Sequence, residues 1–248
     1  MTADGVQRAL VELGRRISEA RRVTILTGAG VSAASGVPTF RGSGGLWRTY
    51  RAEDLATPAA FHRNPQLVWE WYDWRRGSIA LCRPNPAHEV LARLSRRPGV
   101  TLITQNVDGL HELAGAENVI RLHGSIWRLR CALDCGEAPA SWEDRRTPLP
   151  ELSPRCPACG GYARPAVVWF GEALDTGVLD RSIEATACDV YLSIGTSSLV
   201  QPAAGFVARA RSLGAYTVEI NPVATEAAAS FDNAIALPAE VALPALGI

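Results

Sequence analysis

At 248 residues, with 47% apolar and 20% charged positions, the chain can bury a full core and has the make-up of a globular protein. Its 25 basic and 25 acidic residues cancel, which argues against the basic footprint of a nucleic-acid or anionic-membrane binder. No run approaches the roughly 18 apolar residues of a membrane span, and the N-terminus shows no basic stretch leading into an apolar one, so a cytoplasmic location is expected.

In chain order, Val6 to Arg21 spaces its apolar residues as an amphipathic helix. Val23–Leu26 is an apolar β-type run, and Thr27 then opens a stretch of small residues from Gly28 to Gly36. The stretch from Trp47 to Pro58 reads as irregular. Pro65–Leu81 reads as a helix with Pro at its start and Trp69, Trp71, Tyr72 and Trp74 along it, and Pro86–Arg97 as a second. Thr101–Thr104 and Val119–Leu122 are core strands, each ending in polar residues, Gln105-Asn106-Val107-Asp108 and His123-Gly124. Trp127 to Arg164 holds four cysteines, several prolines and little apolar periodicity, as expected of an insertion with no core of its own. Ala166–Phe170 is strand-like; helix Leu174–Ala187, strand Val190–Ile194, helix Gln201–Leu213, strand Tyr216–Ile220 and an apolar segment at Ile235–Leu237 follow. Strands alternating with helices predict an α/β fold, a Rossmann-like parallel sheet with helices on both faces.

In such sheets the ligand lies off the C-terminal strand ends. The ends here are Gly28–Gly30, Gln105–Asp108, His123, Gly195-Thr196-Ser197 and Asn221, nearly all small or polar. Gly28, Gly30 and Ala33 fit the dinucleotide fingerprint in its Ala-ending form. The expected long helix is missing: Gly36, Pro38, Phe40 and Arg41 carry the chain into a loop. A phosphate cradle followed by an aromatic and a guanidinium suits a dinucleotide that is consumed.

Cys131-x3-Cys135 and Cys156-x2-Cys159 have the paired spacing of a four-thiolate zinc site, closed to water and therefore structural; two disulfides are the competing reading. Cys82 and Cys188 read as buried free thiols.

Taken together, the Gly28–Ser32 and Pro38–Arg41 loop, Thr104–His111, His123-Gly124, the cysteine pairs, Val168-Trp169-Phe170-Gly171-Glu172 and Gly195-Thr196-Ser197 resemble the sirtuins, NAD-dependent protein-lysine deacylases, in order and over nearly the whole chain. The resemblance implies one catalytic unit. Its large NAD-binding domain spans 1–41, 85–126 and 165–248; its small domain joins a helical module, 42–84, to a zinc module, 127–164. It implies His123 as the catalytic base, with Asn106, and a cofactor site of Gly28, Ala29, Gly30, Ser32, Ala33, Pro38, Phe40, Arg41, Trp47, Gln105, Asn106, Val107, Asp108, His123, Gly195, Thr196, Ser197, Asn221, Pro222, Val223 and Ala239. For each Ser or Thr the alternative role is a helix N-cap. Val168 to Glu172 matches the segment on which an acyl-lysine peptide adds as a strand. In chemical terms, loss of nicotinamide leaves an electron-poor ribose carbon that an amide oxygen traps, and a neutral imidazole then deprotonates a ribose hydroxyl. Of the other histidines, His62 and His88 read as structural and His111 as a helix-packing residue.

Tyr72 and Arg75, three apart on the Pro65 helix, share a face and can bind a carboxylate. The pair resembles the Tyr-x-x-Arg of class III sirtuins and implies succinyl-, malonyl- or glutaryl-lysine, with acetyl-lysine also accepted. The implied partners are NAD, a structural zinc ion and acyl-lysine peptides, with no nucleic acid or membrane and with a monomer compatible. Two other functions fit the same residues: transfer of ADP-ribose to a side chain or to water, and a zinc-ribbon interaction module on an inactive scaffold.

Overall fold

The computed structural model describes residues 3–38, 46–47 and 50–248. Phe40 and Arg41 lie outside the described residues, and Trp47 is described through its backbone alone. The first helix, α1 (Ala3–Glu19), leads into β1 (Val23–Thr27) and a one-sided 3₁₀ turn, Ala29–Ser35. A short antiparallel pair, β2 (Leu46–Trp47) and β3 (Tyr50–Arg51), precedes α2 (Ala52–Leu55), α3 (Pro58–Arg63) and α4 (Pro65–Ala80). Next come α5 (Pro86–Ser95), β4 (Val100–Thr104), α6 (Leu110–Leu113), β5 (Ile120–Arg121), β6 (Gly124–Cys131), β7 (Trp142–Glu143) and β8 (Ala163–Val167). The remainder is α7 (Thr176–Ala185), β9 (Val190–Ile194), α8 (Phe206–Ser212), β10 (Tyr216–Ile220), β11 (Asn233–Ile235) and α9 (Ala239–Ala242).

Six strands form one parallel sheet in the order β11-β10-β9-β1-β4-β5. Renumbered along the chain this is 3-2-1-4-5-6 read from β5, the doubly wound order, whose switch point falls between β1 and β9. Alternation fills both faces. Val23, Ile25, Leu102, Val190, Leu192 and Ile194 pack with α1, α5 and α9, while Leu26, Ile103 and Tyr191 pack with α8 and the apolar side of α7. Strands buried on both faces need the near-continuous apolar runs seen in the sequence.

A second sheet, β7-β6-β8, is antiparallel. Its Ile126, Trp127, Leu129, Ala163 and Val167 share one core with Phe61, Val68, Trp69, Trp71, Tyr72 and Ile79 of α3 and α4. The cysteine-bearing segment is therefore not coreless, as its periodicity suggested: its apolar strand faces are completed by the helical module. The strand expected at Ala166–Phe170 is displaced to Ala163–Val167. Arg164 and Pro165 disguise it, because Pro165 sits on an edge strand, where its missing N–H is tolerated. The Trp47–Pro58 stretch, expected to be irregular, holds β2, β3 and α2. The helix expected over Gln201–Leu213 begins only at Phe206, after a 3₁₀ turn at Ala203–Gly205. Among the described residues no helix is long and apolar enough to cross a membrane.

Candidate active site

The strand ends converge at the switch point. Gly28 N–H donates to the Ile194 carbonyl at 3.0 Å and Gly30 N–H to that of Gly195 at 2.8 Å, so the loops after β1 and β9 run backbone against backbone. A Cβ on Gly28 would stand 2.8 Å from the Gly195 oxygen and from Thr196 Cα. One on Gly195, whose φ is +62°, would stand 2.5 Å from Val31 N. These contacts exclude any side chain, and they leave small residues lining a crevice of the kind that cradles a dinucleotide pyrophosphate. On that ground the residues present fit NAD.

The loop after β4 supplies the polar groups. Gln105 Nε2 donates to Thr196 Oγ1 at 3.1 Å, and Asn221 Nδ2 to the Thr196 carbonyl at 2.8 Å, tying three strand ends together. Asn106 spends both amide hydrogens, on the Gly28 carbonyl at 3.1 Å and on Ser32 Oγ at 3.2 Å, so the group it can offer a ligand is the acceptor Oδ1. Ser32 Oγ in turn donates to Asp108 Oδ2 at 2.8 Å. Neither Ser32 nor Thr196 caps a helix: both bond between loops. Burial pushes the Asp108 carboxyl up from the usual range, opposed by hydrogen bonds from Leu110 N–H and Ser32.

Behind this loop lie two histidines. His88 and His111 are fully buried, with ring centroids 5.0 Å apart. Asn85 caps α5, its Oδ1 accepting from Ala87 N–H at 2.9 Å, and its own N–H donates to His88 Nδ1 at 3.3 Å. The acceptor state of Nδ1 leaves the proton on Nε2, which lies 3.3 Å from Ser32 Oγ. His111 Nε2 lies 2.9 Å from Thr27 Oγ1. Burial drives the His88 pKa down to about 3 and that of His111 to about 4, so both rings are neutral posts. From the sequence His88 reads as structural, and neither Asn85 nor Thr27 stands out as functional. The Asn85-Pro86 cap with a histidine at its third helical position was the available signal.

His123 follows β5 in a tight turn and is half-buried. Its Nδ1 lies 3.1 Å from the Gln105 carbonyl, an acceptor only, so Nδ1 carries the proton and Nε2 keeps its lone pair. Burial lowers its pKa, against a smaller rise from the Gln105 carbonyl. Its own carbonyl accepts from Val168 N–H at 3.0 Å, placing the Val168 segment beside the imidazole. Val168–Glu172 is a turn, not part of a strand, and Phe170 is exposed. Pro222 and Val223 are exposed beyond β10, and Ala239 packs in the core at the start of α9.

Tyr72 and Arg75 lie on the buried side of α4, only 3% and 6% exposed. Asn64 caps that helix, its Oδ1 accepting from Leu67 N–H at 3.0 Å. Burial pushes the Tyr72 hydroxyl up to about 12, with Arg75 nearby pulling the other way. Burial also lowers Arg75, offset by Tyr72 and Asp108. The neighbouring Arg76 points elsewhere, into a buried ion pair with Asp144 at 3.0 Å.

In the small sheet, the Cys131 and Cys159 sulfurs are 3.7 Å apart, those of Cys135 and Cys156 4.0 Å, and all four lie within 4.8 Å. Tetrahedral ligands 2.3 Å from a zinc ion stand about 3.8 Å apart, whereas a disulfide needs about 2.05 Å. The four thiols fit zinc and not two disulfides.

A doubly wound dinucleotide fold carrying a four-thiolate module and a polar crevice at its switch point is the architecture of an NAD-dependent enzyme class. Residues 28–202 match the Sir2 family model, and the chain belongs to that family. It is 50% identical over 205 residues to an NAD-dependent protein deacylase of Aquifex aeolicus, covering 82% of this chain and 84% of that one. It is 49% identical over 247 residues to NAD-dependent protein deacylase 1 of Pseudomonas aeruginosa, covering 96% and 97%. Among solved structures, a Sir2 homolog–NAD complex superposes with a TM-score of 0.88 at 44% identity over 95% of this chain and 92% of that one. A Sir2–p53 peptide–NAD+ structure does so with a TM-score of 0.82 at 26% identity, over 94% and 95%.

Proposed function

We propose that this chain is an NAD-dependent protein-lysine deacylase that removes acidic acyl groups (succinyl, malonyl and glutaryl) as well as acetyl, with nicotinamide and O-acyl-ADP-ribose as products. The deacylase activity rests on its relatives, which carry that name at 49–50% identity. The acyl preference rests on one observation: a phenol and a guanidinium buried side by side on α4. A carboxylate reaching the two groups is an acceptor only and can accept from both the Tyr72 hydroxyl and the Arg75 guanidinium.

NAD supplies the electrophilic ribose carbon that an acyl-lysine oxygen traps. The protein's part is then as follows. Gly28, Gly30 and Gly195 let the backbone close on the pyrophosphate, while Gln105, Thr196, Ser197 and Asn221 hold the riboses. Asn106 Oδ1 and the Asp108 loop hold the carboxamide of nicotinamide. His123 Nε2 takes the proton of the ribose hydroxyl, its tautomer set by Gln105. The Val168–Phe170 segment, whose N–H groups are spent within the protein, offers its carbonyls to the peptide backbone. Cys131, Cys135, Cys156 and Cys159 hold a structural zinc ion, whose closed ligand set leaves no position for catalysis.

One peptide carrying acetyl, succinyl, malonyl or glutaryl lysine, incubated with and without NAD and followed by mass spectrometry, tests the activity. Nicotinamide release must depend on the acyl peptide. Arg75→Met tests the preference: it is expected to lower kcat/KM on the succinyl peptide by about 10- to 100-fold more than on the acetyl peptide, the worth of a charge-assisted pair. Equal losses on both peptides would refute the acyl assignment.

A further inference from the structure

Two residues expected to touch substrate turn out to be engaged elsewhere. Trp169 is 2% exposed, and its indole N–H donates to Tyr72 Oη at 2.8 Å. Glu172 spends its carboxylate on Arg164 and on the Trp169 backbone. Arg164 Nη1 donates to Oε1 at 2.6 Å, Arg164 Nη2 to Oε2 at 2.8 Å, and Trp169 N–H also reaches Oε2 at 2.8 Å. The Arg164 guanidinium carbon lies over the Trp169 ring, 3.3 Å from its centroid, and Nη2 also donates to the Val167 carbonyl at 3.0 Å. Phe61 closes the ring's surroundings, its centroid 5.2 Å away.

We propose that Arg164 is a positioning residue for acyl selectivity: with Glu172 it clamps the Trp169 indole, whose N–H occupies the acceptor side of the Tyr72 hydroxyl and turns that hydroxyl's own proton toward the acyl carboxylate. The proposal rests on the acidic-acyl reading of Tyr72 and Arg75.

The chemistry runs in one direction. An indole N–H is a donor only, so a phenol oxygen that accepts from it has its single proton left to give. A carboxylate is an acceptor only, so a Tyr72 held in this state matches an acidic acyl tail; it gives an acetyl methyl nothing. Arg can fill this post where Lys cannot, since only the planar fork both stacks on an indole and pairs bidentately with a carboxylate. The arrangement is also costly. Arg164 is 8% exposed and its Nε lacks a partner among the described residues, and buried ion pairs seldom stabilise a fold beyond what apolar packing would. A fixed orientation at Tyr72 is the return on that cost.

The test uses the full-length enzyme and compares kcat and KM on succinyl and acetyl versions of one peptide for Trp169→Phe, Arg164→Lys, Tyr72→Phe and Arg75→Met. Trp169→Phe keeps a ring and deletes the N–H. It is expected to lower the succinyl-to-acetyl ratio of kcat/KM about fivefold or more, mainly through the KM of the succinyl peptide, and Arg164→Lys about threefold or more. A ratio that collapses in Tyr72→Phe and Arg75→Met but stays at the wild-type value in Trp169→Phe overturns the clamp and leaves the acyl reading standing. A ratio unmoved in all four overturns both. A merely structural role for Arg164 predicts equal losses on the two peptides, which also overturns the proposal; if Arg164→Lys does not fold, the Trp169→Phe ratio alone decides.

Discussion

Ser32→Ala removes one oxygen that bonds Asp108 at 2.8 Å and Asn106 at 3.2 Å and lies 3.3 Å from His88 Nε2. Asp108 keeps the Leu110 N–H but loses its hydroxyl donor at a site where burial already raises its pKa. A hydrogen bond to a buried charge is worth about 1.5–3 kcal/mol, which corresponds to roughly 10- to 150-fold in kcat/KM for NAD, and its loss raises the Asp108 carboxyl further. The sign of the stability effect follows from proton counting. A carboxyl raised in the folded state binds more protons there than in the unfolded chain, so stability falls as pH rises from the unfolded carboxyl value to the folded one. The variant widens that window. Urea unfolding at pH 5 and pH 8, beside nicotinamide release at the same two pH values, measures it: the gap between wild type and Ser32→Ala is expected to be larger at pH 8. An equal gap at both would show that the loss is not carried by the Asp108 charge.

Four other outcomes are expected. Gly28→Ala drives a Cβ to 2.8 Å from the backbone of Gly195 and Thr196 and is expected to cost about 1–3 kcal/mol while raising the KM for NAD, read by unfolding and NAD titration. Gly136→Ala, with φ at +77° but nothing within 4 Å, serves as the control and is expected to cost only about 1 kcal/mol. Arg76→Met leaves the Asp144 carboxylate buried with Arg146 alone, so urea unfolding is expected to show a loss of about 2–3 kcal/mol, below the usual 3–5 because one partner remains. A strong chelator is expected to shift the tryptophan emission of the core shared by Trp69, Trp127 and Trp169, and added zinc to restore it; emission unchanged by zinc removal would separate the thiolates from that core.

Much of the large sheet was legible. Val190–Ile194 is apolar but for Ser193, and Tyr216–Ile220 keeps β-branched or aromatic residues at four of its five positions, the trace left by strands buried on both faces. The strand ends were legible for the same reason: Gly28, Gln105, Gly195 and Asn221 each interrupt such a run. What stayed hidden depends on tertiary partners. Arg164 reads as a surface residue until Glu172 and the Trp169 ring are found on either side of it. His88 is an unremarkable histidine in a helix until Asn85 fixes its tautomer and Ser32 comes within reach. Phe206, the true start of α8, lies behind Gly205 and Pro202, which a periodicity count passes over.

The helical module and the dinucleotide crevice meet at the loop after β4. Tyr72, Trp169 and Phe61 share their core with Val37 and Leu110 of the crevice loops, and the Asp108 carbonyl accepts from the Trp127 indole N–H. The Asp108 carboxylate also acts on Arg75 of α4. Changes on the two sides of that loop are therefore expected to combine non-additively, so that repacking around α4 carries into the crevice.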